Sequence, residues 1–142
     1  MAKQISVFLE NKAGRLSHVT RVLGGAGINI RALSIADTSD FGILRLIVND
    51  PDQAYKILKE AGFTVSETEV IAVQVPDSPG GLATVLEQMT TENLNIEYLY
   101  AFLGTTGDDA LVIFKVEDIN RARNMFEAKG IKFLDEQALY QL

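Results

Sequence analysis

Few residues in this 142-residue sequence have side chains suited to catalysis, and their distribution excludes more than it suggests. There is no Cys and a single His, so thiolate nucleophiles, disulfides, thiolate metal sites and two-His metal or acid/base chemistry are absent. His18 sits between apolar positions of a helical pattern with no acid placed to orient it, and it reads as a solvated helix residue. Glu10, Asp77 and Glu97 fall near turns, but nothing pairs them as an acid/base couple. Two loops gather small and polar residues: Asn11-Lys12-Ala13-Gly14-Arg15-Leu16 and Asp77-Ser78-Pro79-Gly80-Gly81-Leu82. Each follows an apolar run and opens a helical pattern. Glycine there lets the backbone approach a small ligand, while the first N–H groups of a helix face an anion such as an α-carboxylate. The same residue types also build an ordinary strand-to-helix turn. Asn29-Ile30 and Asn95-Ile96 add two amides at matching places, each able to donate and accept, which suits a zwitterion.

The elements that must position these residues occur twice. With an offset of 66, Ile5-Ser6-Val7 falls on Ile71-Ala72-Val73, Gly14 and Leu16 on Gly80 and Leu82, Val19 on Val85, Asn29-Ile30 on Asn95-Ile96, and Leu33 on Leu99. Beyond Thr38-Ser39-Asp40 the offset becomes 68, matching Ile43–Val48 to Leu111–Val116 and Gly62 to Gly130. The change reads as a two-residue loop insertion within Gly104–Asp109.

Within each half the pattern is strand, helix, strand, strand, helix, strand. In the first, residues 5–9 form a buried strand. Leu16, Val19, Val22 and Leu23 recur at helical spacing until Gly24-Gly25-Ala26-Gly27 ends the helix. Because that glycine run precedes a strand, it is the reverse of a dinucleotide-binding loop. Strands at 28–36 and 43–49 flank a turn at Asp37–Gly42. Asp50-Pro51-Asp52 caps a helix that Gly62 closes, and a last strand begins at Phe63. The second half gives strands at 71–75, 94–103, 110–116 and 131–134, with helices at 82–90 and 118–129. The order βαββαβ predicts an α+β fold of two ferredoxin-like plaits, each an antiparallel sheet with its helices on one face. The domains are expected at 1–69 and 70–142, joined by near-continuous strand-like sequence, FTVSETEVIAVQV. The register also lays Val70–Val73 on Ala138–Gln141, leaving open a strand exchanged between halves.

In this topology the first and second strands point the same way, so Asn29 and Asn95 should lie at the far end of their own sheets from their own loops. Edge-to-edge pairing of two plaits would carry each Asn to the other unit's loop: 11–16 with Asn95-Ile96, and 77–82 with Asn29-Ile30. Period-2 reading places Leu33, Ile35, Leu99 and Ala101 under the helices, and puts Tyr98, Tyr100 and Phe102 on the open face. Those aromatics suggest either an interface or ligand wall, or packing beneath the neighbouring half.

The paired signatures NKAGRL with GINI and DSPGGL with NLNI resemble the ACT domain, and their duplication along the chain resembles stand-alone tandem ACT proteins. The resemblance implies a non-catalytic regulatory module that binds an amino acid where units pair. Carried over by position, the ligand-facing residues are Asn11, Ala13, Gly14, Leu16, Asn29, Ile30, Asp77, Pro79, Gly80, Leu82, Asn95 and Ile96. Lys12, Arg15, Ser78 and Gly81 mark where the two copies differ, and the charge of Lys12 and Arg15 favours the first loop for a carboxylate. No cofactor is implied. The expected partners are an amino acid ligand, a second copy of the chain in a homodimer, and a regulated metabolic enzyme or transporter.

Composition agrees with this reading. The excess of 19 acidic over 13 basic residues gives a net charge of -6, which repels a phosphate backbone and disfavours nucleic-acid binding. The strand Ile43–Val48 also lacks the basic and aromatic pattern of an RNA-binding plait. No apolar run approaches a signal peptide or a membrane span, so a cytoplasmic location is expected. The acidic groups Ser66–Glu69 and Asp108-Asp109 read as solvated turns. The alternative is a small ferredoxin-like enzyme such as an acyl-phosphate hydrolase, for which Arg15 with Asn11 or Asn29 is a faint echo.

Overall fold

The computed structural model describes residues 2–37, 40–107 and 109–142. Thr38, Ser39 and Asp108, parts of two turns expected from sequence, lie outside the described residues. The chain divides into two compact units, one spanning Lys3–Thr68 and the other Glu69–Tyr140.

The first unit is built from β1 (Ala2–Glu10), α1 (Arg15–Gly25), β2 (Ile30–Asp37), β3 (Phe41–Val48), α2 (Pro51–Glu60) and the start of β4 (Thr64–Pro76). The second uses the rest of β4, then α3 (Gly81–Thr91), β5 (Ile96–Thr106), β6 (Asp109–Val116), α4 (Ile119–Lys129), β7 (Phe133–Leu134) and α5 (Glu136–Tyr140). In the first sheet β3 lies between β1 and β2, and β4 joins on the other side of β1, where Lys3 reaches Glu67 at 3.6 Å. In the second the order is β5-β6-β4-β7. Both are the antiparallel plait expected from βαββαβ order.

Alternation sets the core. Ile5, Val7 and Leu9 of β1 and Leu44, Leu46 and Val48 of β3 bury one face against Val19 and Leu23 of α1 and Ala54 and Leu58 of α2. Ile71, Val73, Val75, Val112, Phe114 and Val116 do the same against Val85, Met89, Ala122, Met125 and Phe126. The second helix of each unit starts at an aspartate cap: Asp50 accepts from the Gln53 N–H at 3.2 Å, and Asp118 from the Arg121 N–H at 3.1 Å. Such a cap contributes about 1 kcal/mol. The duplication extends to irregularities. Arg31 is an extra residue between the pairs Ile30↔Val48 and Ala32↔Ile47, and Glu97 between Ile96↔Val116 and Tyr98↔Lys115.

Several expectations need correction. The segment at Ala138–Gln141 is no strand: Asp135 accepts from the Ala138 N–H at 2.8 Å and starts the short helix α5. The expected strand at 131–134 narrows to Phe133–Leu134, and the loop insertion is absorbed as a bulge in β5, between Ala101↔Val112 and Thr105↔Ala110. Leu33, Ile35 and Leu99 do share the helix-side face with their partners Leu46, Leu44 and Phe114. Yet they remain 38%, 42% and 38% exposed, as does Ala101. Within its own unit, β2 lies at the margin of the first sheet and β5 at the margin of the second. Tyr100 and Phe102 are buried and Tyr98 is half-buried. His18 is not simply solvated either; its ring packs on Phe63 with centroids 5.0 Å apart.

Candidate functional site

The two loops begin alike. Lys12 N–H donates to the Glu10 carbonyl and Ser78 N–H to the Pro76 carbonyl, both at 2.9 Å. Gly14 and Gly80 then stand at the helix N-caps with φ of 88° and 85°. That left-handed conformation strains any residue with a Cβ, which accounts for glycine at both. Neither helix has a side-chain cap, unlike the aspartate-capped α2 and α4; instead the first N–H of each donates within its own turn, Arg15 to the Lys12 carbonyl at 3.3 Å and Gly81 to the Ser78 carbonyl at 2.9 Å.

In the first unit the loop frames a cavity of about 200 Å³ lined by Asn11, Lys12, Arg15 and Leu16 with Leu9, Glu10, Ile35 and Gly42. Leu16 and Ile35, 40% and 42% exposed, supply its apolar wall. Ile35 and Glu10 were not among the expected ligand residues. Ile35 is exposed on a strand at the margin of its unit's sheet, and alternation alone does not reveal that exposure. Glu10 matters electrostatically: its carboxylate takes Lys12 Nζ at 2.8 Å and Arg15 Nη2 at 3.2 Å. The trio is net positive by one charge.

The Lys12 ammonium, followed by the Arg15 guanidinium, holds the Glu10 carboxyl below its ordinary range. A depressed folded-state value makes the stabilisation complete above the unfolded carboxylate pKa and removes it as pH falls through the folded value. Lys12→Ala is therefore expected to move the Glu10 titration, followed by side-chain carboxyl NMR, up toward the ordinary value; an unchanged midpoint would contradict the pairing.

Asn29 and Asn95 lie away from their own loops. The Asn29 N–H donates to Asn49 Oδ1 at 3.0 Å, beside the pair Ile30↔Val48, whereas the Asn11 N–H donates to the Asp40 carbonyl at 2.8 Å, next to Glu10↔Phe41. The seven steps from Phe41 to Val48 put about 24 Å between those rows at ~3.4 Å per residue. In the second unit Pro76↔Asp109 and Ile96↔Val116 are equally separated. Within each unit, then, the loop stays with the end of the strand before it, β1 in the first and β4 in the second, and not with its Asn.

A family model described as an ACT domain pair matches residues 1–142. The chain belongs to the ACT domain pair family. Protein BT0572 from Bacteroides thetaiotaomicron is 43% identical, with a TM-score of 0.93 over 99% of this chain and 96% of that one. The regulatory subunit of aspartate kinase from Thermus thermophilus, in its ligand-free form, is 17% identical with a TM-score of 0.63, covering 89% of this chain and 91% of that one. Its counterpart from Thermus flavus is 15% identical at the same TM-score, covering 89% and 88%. At those identities the two kinase subunits share the fold. No curated protein matches the chain.

The two ACT units are not equivalent at their loops. Gly81 of the second is buried, and a Cβ there would stand 2.0 Å from the Pro76 carbonyl oxygen. At the equivalent position the first ACT unit carries Arg15, half-buried and paired with Glu10. The second loop thus packs its helix start tightly onto the strand end, with Asp77, Ser78, Pro79, Gly80 and Leu82 exposed around it. The first carries at that place the Arg15 side chain, which reaches the Glu10 carboxylate at 3.2 Å. Among the described residues of the ACT pair no helix is long and apolar enough to cross a membrane.

Proposed function

We propose that this ACT domain pair is a non-catalytic regulatory protein that binds an amino acid through units 1–69 and 70–142 paired edge to edge. The observation that carries this reading is the cavity at Asn11–Leu16, where cations, a carboxylate and apolar side chains meet. Lys12 and Arg15 suit a ligand carboxylate, Glu10 suits an ammonium, and Leu16 with Ile35 suits an apolar side chain. Asn95 and Ile96 complete this site and Asn29 and Ile30 that of the loop 77–82, because neither Asn can reach its own loop. The first site is the stronger for a carboxylate, since the second loop offers no cation.

Titration calorimetry against the twenty amino acids tests the reading. Saturable binding of at least one, with a rise in melting temperature by mass action, is expected; no binding to any would sink it. With that amino acid in hand, Asn95→Ala should weaken the ligand of the first loop by roughly tenfold, the scale of a lost hydrogen bond, while Asn29→Ala should spare it. The reverse pattern would overturn the crossed arrangement. Homodimerisation and control of a metabolic enzyme or transporter are the expected setting for such a sensor, in the cytoplasm. Of the two residue pairs that echo an acyl-phosphate hydrolase, Arg15 with Asn29 is disfavoured because these lie at opposite ends of one sheet, whereas Arg15 with Asn11 lines one cavity.

A further inference from the structure

Each unit also holds a cavity between its first helix, the end of its first strand and the start of its last strand. In the first unit it measures about 220 Å³, in the second about 350 Å³. The duplication makes each an internal control for the other. With the offsets of 66 and 68, Phe8 of the first corresponds to Gln74 of the second, Phe41 to Asp109, Val22 to Gln88, Ala61 to Lys129 and Thr64 to Lys132. The first cavity is lined by Phe8, Phe41 and Phe63, with the Phe8 and Phe41 rings 5.4 Å apart, together with Glu10 and Arg15. At the places of Gln74 and Asp109 the fold therefore accepts phenylalanine, and a polar side chain at those two positions is not a requirement of the architecture.

That polar lining is also incompletely used. Gln74 and Gln88 are half-buried, yet among the described residues neither side-chain amide has a hydrogen-bond partner, and neither has the Lys132 ammonium. Lys129 reaches Glu92 at 3.5 Å, and Asp109 stands at the rim. Two amides and a lysine line the same space, with their hydrogen-bonding groups open to water or to a ligand. Lys129, Lys132 and Asp109 line that space, and with Glu92 paired to Lys129 the four charges sum to zero, in a chain whose overall charge is -6. None of Asp77–Leu82 and neither Asn lines this cavity.

We propose that the second unit's cavity is a separate binding site for a small hydroxylated anion, its carboxylate or phosphate held by Lys132 and Lys129 and its hydroxyls by Gln74 and Gln88. The site does not depend on the amino-acid reading of the loops, so either can fail alone. The test uses the full chain, labelled with ¹⁵N and titrated separately with glycerate, glycerol 3-phosphate and, as a neutral control, glycerol. The expected result is a saturable shift of the Gln74 and Gln88 side-chain amides with one of the two anions and not with glycerol, the responding anion identifying the group recognised. Lys132→Met, at an exposed position and so without effect on folding, should weaken that binding by about tenfold or more, the scale of a charge-assisted hydrogen bond. Lys132→Arg should largely retain it, and Gln88→Val, which restores the first unit's residue, should weaken it. No saturable shift with either anion up to about 10 mM, well past the millimolar range of weak metabolite sites, would overturn the proposal. So would an affinity unchanged in Lys132→Met.

Discussion

Gly81→Ala is expected to lower the stability of the protein by about 3 kcal/mol, at the upper end of what overpacking costs. The added methyl would meet the Pro76 carbonyl oxygen at 2.0 Å and its carbon at 3.0 Å. Neither can swing aside as a side-chain tip would. That oxygen accepts the Ser78 N–H at 2.9 Å, and the Ser78 carbonyl in turn accepts the Gly81 N–H at 2.9 Å. Relieving the clash therefore disturbs the whole turn at 76–81. For a chain of this length the loss corresponds to a fall in melting temperature of roughly 10 °C, read by differential scanning calorimetry. Arg15→Ala, at the same place in the first unit, removes only an exposed ion pair and should change stability by less than about 1 kcal/mol. Similar melting temperatures for the two variants would show that the second loop yields where its geometry says it should not.

Phe126→Ala should cost more, about 3–5 kcal/mol through lost burial and the cavity left behind. Phe126 is fully buried in α4, lies in the second unit's core, and has its ring 6.4 Å from that of Phe133. Set against the 5–15 kcal/mol that usually separates folded from unfolded chains, this is a large share. In urea the midpoint should fall steeply with the slope unchanged, because the surface exposed on unfolding is nearly the same. A loss below about 1 kcal/mol would mean that the core around β6 and α4 closes over the gap.

Much of the architecture was legible because it is written twice. Gly14 and Gly80 keep the same left-handed turn, Asp50 and Asp118 the same cap, and Arg31 and Glu97 the same bulge. An irregularity that recurs at a fixed offset carries information that a single copy does not. Asp135 was different: as an aspartate three residues before Ala138 it carried a cap signal for α5, but the self-alignment drew attention to Val70–Val73 instead. The faces of Leu33, Ile35 and Leu99 followed from alternation, whereas their exposure did not, since period 2 says which way a side chain points and nothing about what covers it. The loop residues of the candidate site were legible from Gly and Asn spacing. Ile35 was not, because its role depends on how little covers the marginal strand β2, and Glu10 was not, because its two cations come from residues that sequence assigned to a ligand.

One strand sets a limit on how this protein can be taken apart. β4 runs thirteen residues without interruption, Thr64–Pro76, and the division between the two units falls within it. Where two repeats are tethered by a loop, a protease or a gene truncation can part them at little cost, because the backbone there makes few hydrogen bonds. Here any cut near Thr68 severs a strand, shortening the sheet that Lys3 and Glu67 help close and exposing the first strand of the next. A duplication joined in this way is hard to reverse: shuffling either repeat alone into another protein would carry a frayed edge with it, so the pair is inherited as one piece.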